Sequence, residues 1–184
     1  MQHPELFVLR HGETEWNVEG RLQGALDSAL TQTGRAQAKH QAALLSAAQI
    51  KAPLYSSPQG RALDTAHIIA NALSCDVVQA PALREVSMGA WDGQLISDVA
   101  PDQPEDHLLW KFGAPRGEAL DALRARLLDF VAQLEGPAIL VTHGVTSRVL
   151  RGAVLGVPDD QLTRLAGGQG VVFRLKDGVQ TVMA

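Results

Sequence analysis

The segment Ala138-Ile139-Leu140-Val141-Thr142 narrows the folds open to this chain more than any other. It is a short apolar run, set off by Gly136-Pro137 before it and His143-Gly144 after it. Such a run lacks the polar alternation of a strand with one wet face. It reads as a strand covered on both sides, and strands of that kind belong to parallel sheets held between layers of helix. Leu6-Phe7-Val8-Leu9 carries the same signature near the N-terminus.

Helical patterns fill the intervals. Thr31 or Thr33 can cap a helix through Gln37, Ala38, Leu44 and Leu45. Residues 53–56 form a short strand. Ser57-Pro58 then has the form of a helix start, serine as N-cap and proline in the first turn. That helix is predicted to reach Leu73, with Ala62, Ala66, Ile69 and Leu73 on one face. Val77-Val78 is a further strand. Residues 87–115 read as irregular, with helical pieces near 95–99 and 107–112. Residues 118–134 form an amphipathic helix with Leu120, Leu123, Leu127, Phe130, Val131 and Leu134 inward, and another helix spans 145–155. Lys176-Asp177-Gly178 joins two runs, 171–175 and 179–183, as a hairpin turn. The alternation predicts an α/β fold, a three-layer α/β/α sandwich around a mostly parallel sheet. At 184 residues and 46% hydrophobic content it is expected to be one domain, 1–184, with a full core.

Three strand-to-loop junctions share a chemical character. The first carries Arg10-His11-Gly12, the second Ser56-Ser57-Pro58 with Arg61 one turn on, the third Thr142-His143-Gly144. In a parallel sheet these junctions fall on one edge, where α/β ligands bind. Two imidazoles and two guanidiniums can then converge, and the following helix N-termini are expected to add N–H donors. That set suits a phosphoryl group, whose oxygens spread negative charge in the transition state. The net charge of −4 speaks against general nucleic-acid binding, so the positive charge must be local. A single cysteine, Cys75, excludes an internal disulfide and a cysteine-rich zinc site. No secretory signal and no membrane-length apolar run is visible, so a cytoplasmic protein without a membrane partner is expected, as a monomer or homodimer.

The chain resembles the histidine phosphatase superfamily, the branch that includes cofactor-dependent phosphoglycerate mutase and many small phosphatases. The resemblance rests on Leu9-Arg10-His11-Gly12-Glu13-Thr14, Trp16-Asn17, Gly20-Arg21-Leu22-Gln23-Gly24, Leu30-Thr31, Ser56-Ser57-Pro58 with Arg61-Ala62, Leu83-Arg84-Glu85, Gly89-Ala90-Trp91-Asp92-Gly93 and Thr142-His143-Gly144, in order. It implies the phosphoglycerate mutase-like fold and a catalytic set of His11, Glu85, Arg10, Arg61 and His143. His11 would be the nucleophile that forms a phosphohistidine. Arg10, Arg61 and His143 would hold the phosphoryl oxygens, with Asn17 a further donor. Glu85 would give a proton to the leaving oxygen and later activate water. Arg21 and Gln23 would meet the rest of the substrate at the rim, and Gly144 would line the site. The resemblance implies no metal and no cofactor, the arginines doing the electrostatic work.

Blander readings hold elsewhere. Ser57 is expected to be a helix cap rather than a catalytic group. His3, His40, His67 and His107 have no matched partners, and no His-Glu-x-x-His pattern is present. Cys75 reads as a small filler. Gly167-Gly168-Gln169-Gly170 reads as a loop before the last hairpin.

Within the family, mutases continue past the glutamate with Arg-His-Tyr-Gly, whereas this chain has Val86-Ser87-Met88-Gly89. Mutases also carry a longer basic insertion, where this chain has Asp98, Asp102, Glu105 and Asp106. Val145 stands where mutases have asparagine. These departures point to a phosphatase acting on a small phosphorylated metabolite, with mutase activity and an inactive phospho-ligand-binding relative as the alternatives. Residues 90–115 are expected to form a small cap over the site.

Overall fold

The computed structural model describes residues 3–100, 102 and 108–184. In chain order the regular elements are β1 (Leu6–Arg10), α1 (Glu15–Val18), α2 (Gln32–Ala47), β2 (Leu54–Ser56), α3 (Gly60–Leu73), β3 (Val77–Gln79), α4 (Ile96–Val99), α5 (Leu120–Ala132), β4 (Ala138–Thr142), α6 (Gly144–Leu155), β5 (Val172–Lys176) and β6 (Val179–Met183). Short 3-10 turns occupy Pro81–Leu83, Gly89–Trp91, Leu109–Gly113 and Asp159–Arg164. The sheet order is β3-β2-β4-β1-β5-β6. β1 to β4 run parallel, while β5 and β6 return antiparallel.

Alternation along the central strands creates the layers, because successive side chains leave opposite faces of a sheet. Leu6, Val8, Ala138 and Leu140 enter a core completed by Leu123 and Leu127 of α5 and Val149 and Leu150 of α6. Phe7, Leu9, Ile139 and Val141 enter a second core with Ala42 and Leu45 of α2 and Ala62, Ala66 and Ile69 of α3. Helices therefore cover both faces, and the fold is the expected α/β/α sandwich. Among the described residues no helix is long and apolar enough to cross a membrane.

Several local expectations are met. Thr31 caps α2, its side chain accepting from the Gly34 amide at 3.0 Å. Asp177 and Gly178 both take positive φ, 51° and 75°, in the turn between β5 and β6. Of the six apolar positions on α5's expected inner face, Leu123, Leu127 and Val131 are buried, and Leu120, Phe130 and Leu134 are partly buried against the same core. Other expectations need correction. α3 begins at Gly60 with Gln59 as N-cap, so Ser57 stands ahead of the helix and does not cap it. The helical piece expected near 107–112 is the 3-10 turn Leu109–Gly113; His107 lies outside the described residues, as do Glu105 and Asp106.

Candidate active site

Register brings the three junctions together. In the ladder Arg10 faces Thr142 and Ser56 faces Val141. The chain continues the ladder one step beyond it: the His11 amide donates to the Thr142 carbonyl at 2.9 Å, and the Ser57 amide to the Val141 carbonyl at 3.0 Å. His11, Ser57 and His143 thus leave three adjacent strands at one edge of the sheet. His11 borders a cavity of about 430 Å³ whose lining also includes Arg10, Arg61, Glu85 and Gly144.

His11 is 2% exposed, and its Nδ1 lies 2.7 Å from the Gly12 carbonyl oxygen. A carbonyl only accepts, so Nδ1 carries the proton and Nε2 keeps a lone pair. The Arg61 Nε–H donates to that Nε2 at 3.2 Å, which agrees with the same tautomer. The turn that aims the ring depends on Gly12. Its amide donates to Thr65 Oγ1 at 3.0 Å, and a Cβ there would lie 2.2 Å from the Gly34 carbonyl oxygen.

Arg61 is 1% exposed on the first turn of α3. Its Nη1 donates to the Leu26 carbonyl at 2.6 Å and to Asp27 Oδ1 at 3.0 Å, and its Nη2 donates to the Gly24 carbonyl at 3.1 Å. The loop 24–27 therefore fixes the plane of the guanidinium. Asp27 Oδ1 also accepts the Arg61 amide at 3.2 Å. That first-turn N–H of α3, expected to face the anion, is spent on Asp27. Arg10 is held at the end of β1 with its carbonyl bonded to Gln41 Nε2 at 3.1 Å. Its Nε is buried with no partner among the described residues.

His143 is the N-cap of α6 and is fully buried. Its ring stands 5.1 Å from that of His11 at 62°. Nε2 lies 2.8 Å from Ser57 Oγ, and Nδ1 is buried without a partner among the described residues.

Glu85 is half-buried and held by four donors. Oε1 lies 3.1 Å from the Val86 amide, 3.0 Å from the Thr146 amide and 2.7 Å from Thr146 Oγ1, and Oε2 accepts from the Val145 amide at 3.2 Å. The N-terminus of α6 thus orients a protein carboxylate; it was expected to offer those N–H groups to the substrate. A helix N-terminus favours any anion placed there, and Glu85 is already in place.

The expected rim residues divide. Arg21 is on the rim, its Nε on Glu19 at 2.6 Å and its Nη1 on the Gly93 carbonyl at 3.0 Å. Gln23 borders the cavity but is only 7% exposed, with Nε2 on Thr14 Oγ1 at 2.8 Å and Oε1 accepting from Ser28 at 3.1 Å. It braces the loop rather than forming an outer rim. Asn17 closes a capping box on α1 with Thr14, and its Oδ1 also accepts from Gln169 Nε2 at 3.1 Å. Gly144 leaves room for Arg10, whose guanidinium carbon would lie 3.4 Å from a Cβ there.

Sequence reasoning gave no role at the site to Asp27, Gln59, Thr65 or Gln169. Gln59 Oε1 accepts the Glu85 amide at 2.7 Å, and its Nε2 donates to the Gly24 carbonyl at 2.7 Å. One side chain thereby ties the segment holding Glu85 to the loop holding Arg61. Its polarity two residues past Ser57 was the only available signal.

Burial pushes the His11 imidazole well below its ordinary value of 6.5; Arg61 and Arg10 push the same way, and the Gly12 bond opposes. His143 is lowered well below 6.5 by burial first, then by Arg61, His11 and Arg10. Both rings are therefore neutral in the fold where the unfolded chain would protonate them. Each proton taken up only by the unfolded chain removes about 1.4 kcal/mol of stability per pH unit. The expected result is flat stability from these groups above pH 6.5 and a decline below it, continuing down to their folded-state values. Urea unfolding across this range should show that decline, and His11→Asn should make it shallower. An unchanged slope in that variant would mean His11 is not buried neutral.

The fold and these groups define a class: an α/β protein with two buried imidazoles, the buried Arg61 and the half-buried Arg10 gathered at one edge of the sheet beside a cavity. Comparison with known proteins narrows it. The family model for the histidine phosphatase superfamily (branch 1) matches residues 6–179, and the chain belongs to that family. It is 35% identical over 164 residues to the probable phosphoglycerate mutase GpmB of Serratia proteamaculans, covering 84% of this chain and 76% of that one. It is 34% identical over 163 residues to phosphoserine phosphatase 1 of Hydrogenobacter thermophilus, covering 83% and 77%. Among solved structures, a mycobacterial glucosyl-3-phosphoglycerate phosphatase superposes with a TM-score of 0.80 at 31% identity, covering 94% of this chain and 90% of the other.

Proposed function

We propose that the chain is a phosphomonoesterase that hydrolyses a small phosphorylated metabolite by way of a phosphohistidine on His11. The observation that carries this reading is the Nδ1–H of His11 on the Gly12 carbonyl, which leaves the Nε2 lone pair beside Arg61. A phosphoryl oxygen entering the cavity takes over the Arg61 Nε–H and releases that lone pair. Nε2 then attacks phosphorus as the P–O bond to the leaving group breaks. Arg10, Arg61 and His143 hold the three remaining oxygens, and Glu85, entering this step as the neutral acid, delivers its proton to the leaving oxygen and becomes the carboxylate. The phosphorylated ring carries positive charge, so its Nδ1–H bond to Gly12 strengthens as P–N forms. In the second half Glu85 takes a proton from water, the water oxygen attacks phosphorus, and the P–N electron pair returns to Nε2.

Support for water as the acceptor comes from the residues just after Glu85. Val86 is fully buried in the core and Met88 is 3% exposed, so this stretch offers no cation to hold a phosphorylated acid for return of the group. The mutase names among the relatives make phosphoglycerate mutase activity the alternative. The described residues of the segment 90–115 cap the site in this reading, with Ile96, Leu108 and Trp110 lining the cavity; residues 101 and 103–107 of the expected cap lie outside the described residues.

The deciding experiment pairs two assays on the wild-type protein. Release of inorganic phosphate from an aryl phosphate and a panel of metabolite monoesters is expected, undiminished by EDTA. Transfer between the two monophosphoglycerates, with bisphosphoglycerate added, is expected to be slower than hydrolysis. Inactivity across the whole panel overturns the phosphatase reading, and transfer outrunning hydrolysis makes the protein a mutase.

A further inference from the structure

We propose that Ser57 is a positioning residue that holds His143 in the tautomer with its proton on Nδ1, so that a neutral imidazole donates to the transferring phosphoryl group. The recipient of that proton donation rests on the phosphatase reading; the tautomer itself does not. Ser57 is fully buried, and its own amide pins it to β4 through the Val141 carbonyl. Standing ahead of α3 rather than capping it, the side chain is left to other work.

A hydroxyl has one proton to give and two lone pairs to accept with. The Gln59 amide donates to Ser57 Oγ at 3.3 Å and occupies one lone pair. The hydroxyl proton then has two acceptors in reach, His143 Nε2 at 2.8 Å and Gln59 Oε1 at 3.4 Å. Gln59 Oε1 is the longer contact and already accepts the Glu85 amide at 2.7 Å. The proton therefore goes to His143 Nε2, which must be the unprotonated ring nitrogen. Which nitrogen of an imidazole is protonated is set by the bond made by the other, so Nδ1 carries the hydrogen.

That Nδ1 is buried and has no partner among the described residues. An unmet buried donor is destabilising, and an acceptor brought by a ligand removes that cost. The Nε of Arg10 is in the same condition, and both atoms belong to residues that flank His11. Two orphaned donors around one nucleophile suit a group that brings several acceptor oxygens at once. The opposite tautomer would leave a bare lone pair on Nδ1, which a phosphoryl oxygen would repel. Burial among cations also keeps a second proton off the ring, so the tautomer, not the charge, sets what His143 can donate.

The test is nitrogen NMR of protein labelled in its histidines, with His143 assigned by its loss in His143→Asn. In the wild type a protonated Nδ1 and a pyridine-like Nε2 are expected. In Ser57→Ala the pattern should move toward the Nε2–H form, and kcat on an aryl phosphate should fall roughly 10- to 100-fold, by analogy with the loss of a partner that fixes the tautomer of a metal-ligating imidazole. Ser57→Thr, which keeps the hydroxyl, should restore both. A protonated Nε2 in the wild type overturns the proposal, as does a Ser57→Ala protein with an unchanged pattern and unchanged kcat. Should Ser57→Ala fail to fold, the wild-type spectrum decides alone. A wild type that hydrolyses no phosphate ester defeats the phosphatase reading and leaves the spectrum free to decide the tautomer.

Discussion

Replacing His11 with alanine is expected to lower hydrolysis by roughly four orders of magnitude or more, the scale seen when a covalent nucleophile is removed. No neighbour can take its place. His143, the other imidazole at the site, has Nε2 tied to Ser57 and is fully buried. Ser57 in turn has its hydroxyl committed to His143 and Gln59. The loss should fall on kcat rather than on KM, since Arg10 remains and Arg61 keeps its bonds to Gly24, Leu26 and Asp27 without His11. His11→Asn is the better folded control because it retains a polar group near the Gly12 carbonyl. A labelled phosphoenzyme, trapped by alkaline quench because P–N bonds are labile to acid, should be present in the wild type and absent from both variants. Retention of a tenth of the wild-type rate in His11→Ala would end the covalent mechanism.

How much of this was legible in the sequence depends on the distance over which each feature is encoded. β4 and the β5–β6 turn were legible because their signals are local: an apolar run for one, Asp177-Gly178 at positive φ for the other. Arg61 was legible as a residue one turn into a helix, and the parallel register that brings it to His11 follows from the α/β pattern. Ser57 was misjudged for a physical reason. Ser-Pro is a strong local cap signal, but the sheet continues to hold Ser57 through Val141, and α3 starts only after Gln59. Asp27 lies 34 residues from Arg61 and Gln169 lies 152 residues from Asn17. Contacts of that kind arise only after the sheet is assembled, so no periodicity or cap signal announces them. The use of the α6 N-terminus to hold Glu85 was hidden likewise, because Glu85 sits in an irregular stretch.

Glu85→Gln is expected to produce an effect that depends on the leaving group. For an alkyl phosphate, whose oxygen needs a proton as it departs, kcat should fall about 10²- to 10⁴-fold, the usual contribution of a positioned acid or base. For an aryl phosphate with an acidic phenol, the first step needs little help, so one equivalent of phenolate should appear in a burst. Turnover should then slow, because the variant has no carboxylate to take the proton from the attacking water. Glutamine is the informative replacement. Oε1 faces the Val86 and Thr146 amides and the Thr146 hydroxyl, so the amide oxygen of glutamine can take that place. Its NH2 then faces the Val145 amide, where the carboxylate bond is the longest of the set at 3.2 Å and therefore the cheapest to lose. The fold should survive with a small shift in melting temperature, and the kinetic loss can be assigned to proton transfer. Alanine would instead strip all four donors at once and mix a helix-terminus defect with the chemical one. Equal losses on alkyl and aryl phosphates, with no burst, would show that Glu85 acts on binding and would remove it from the proton-transfer role.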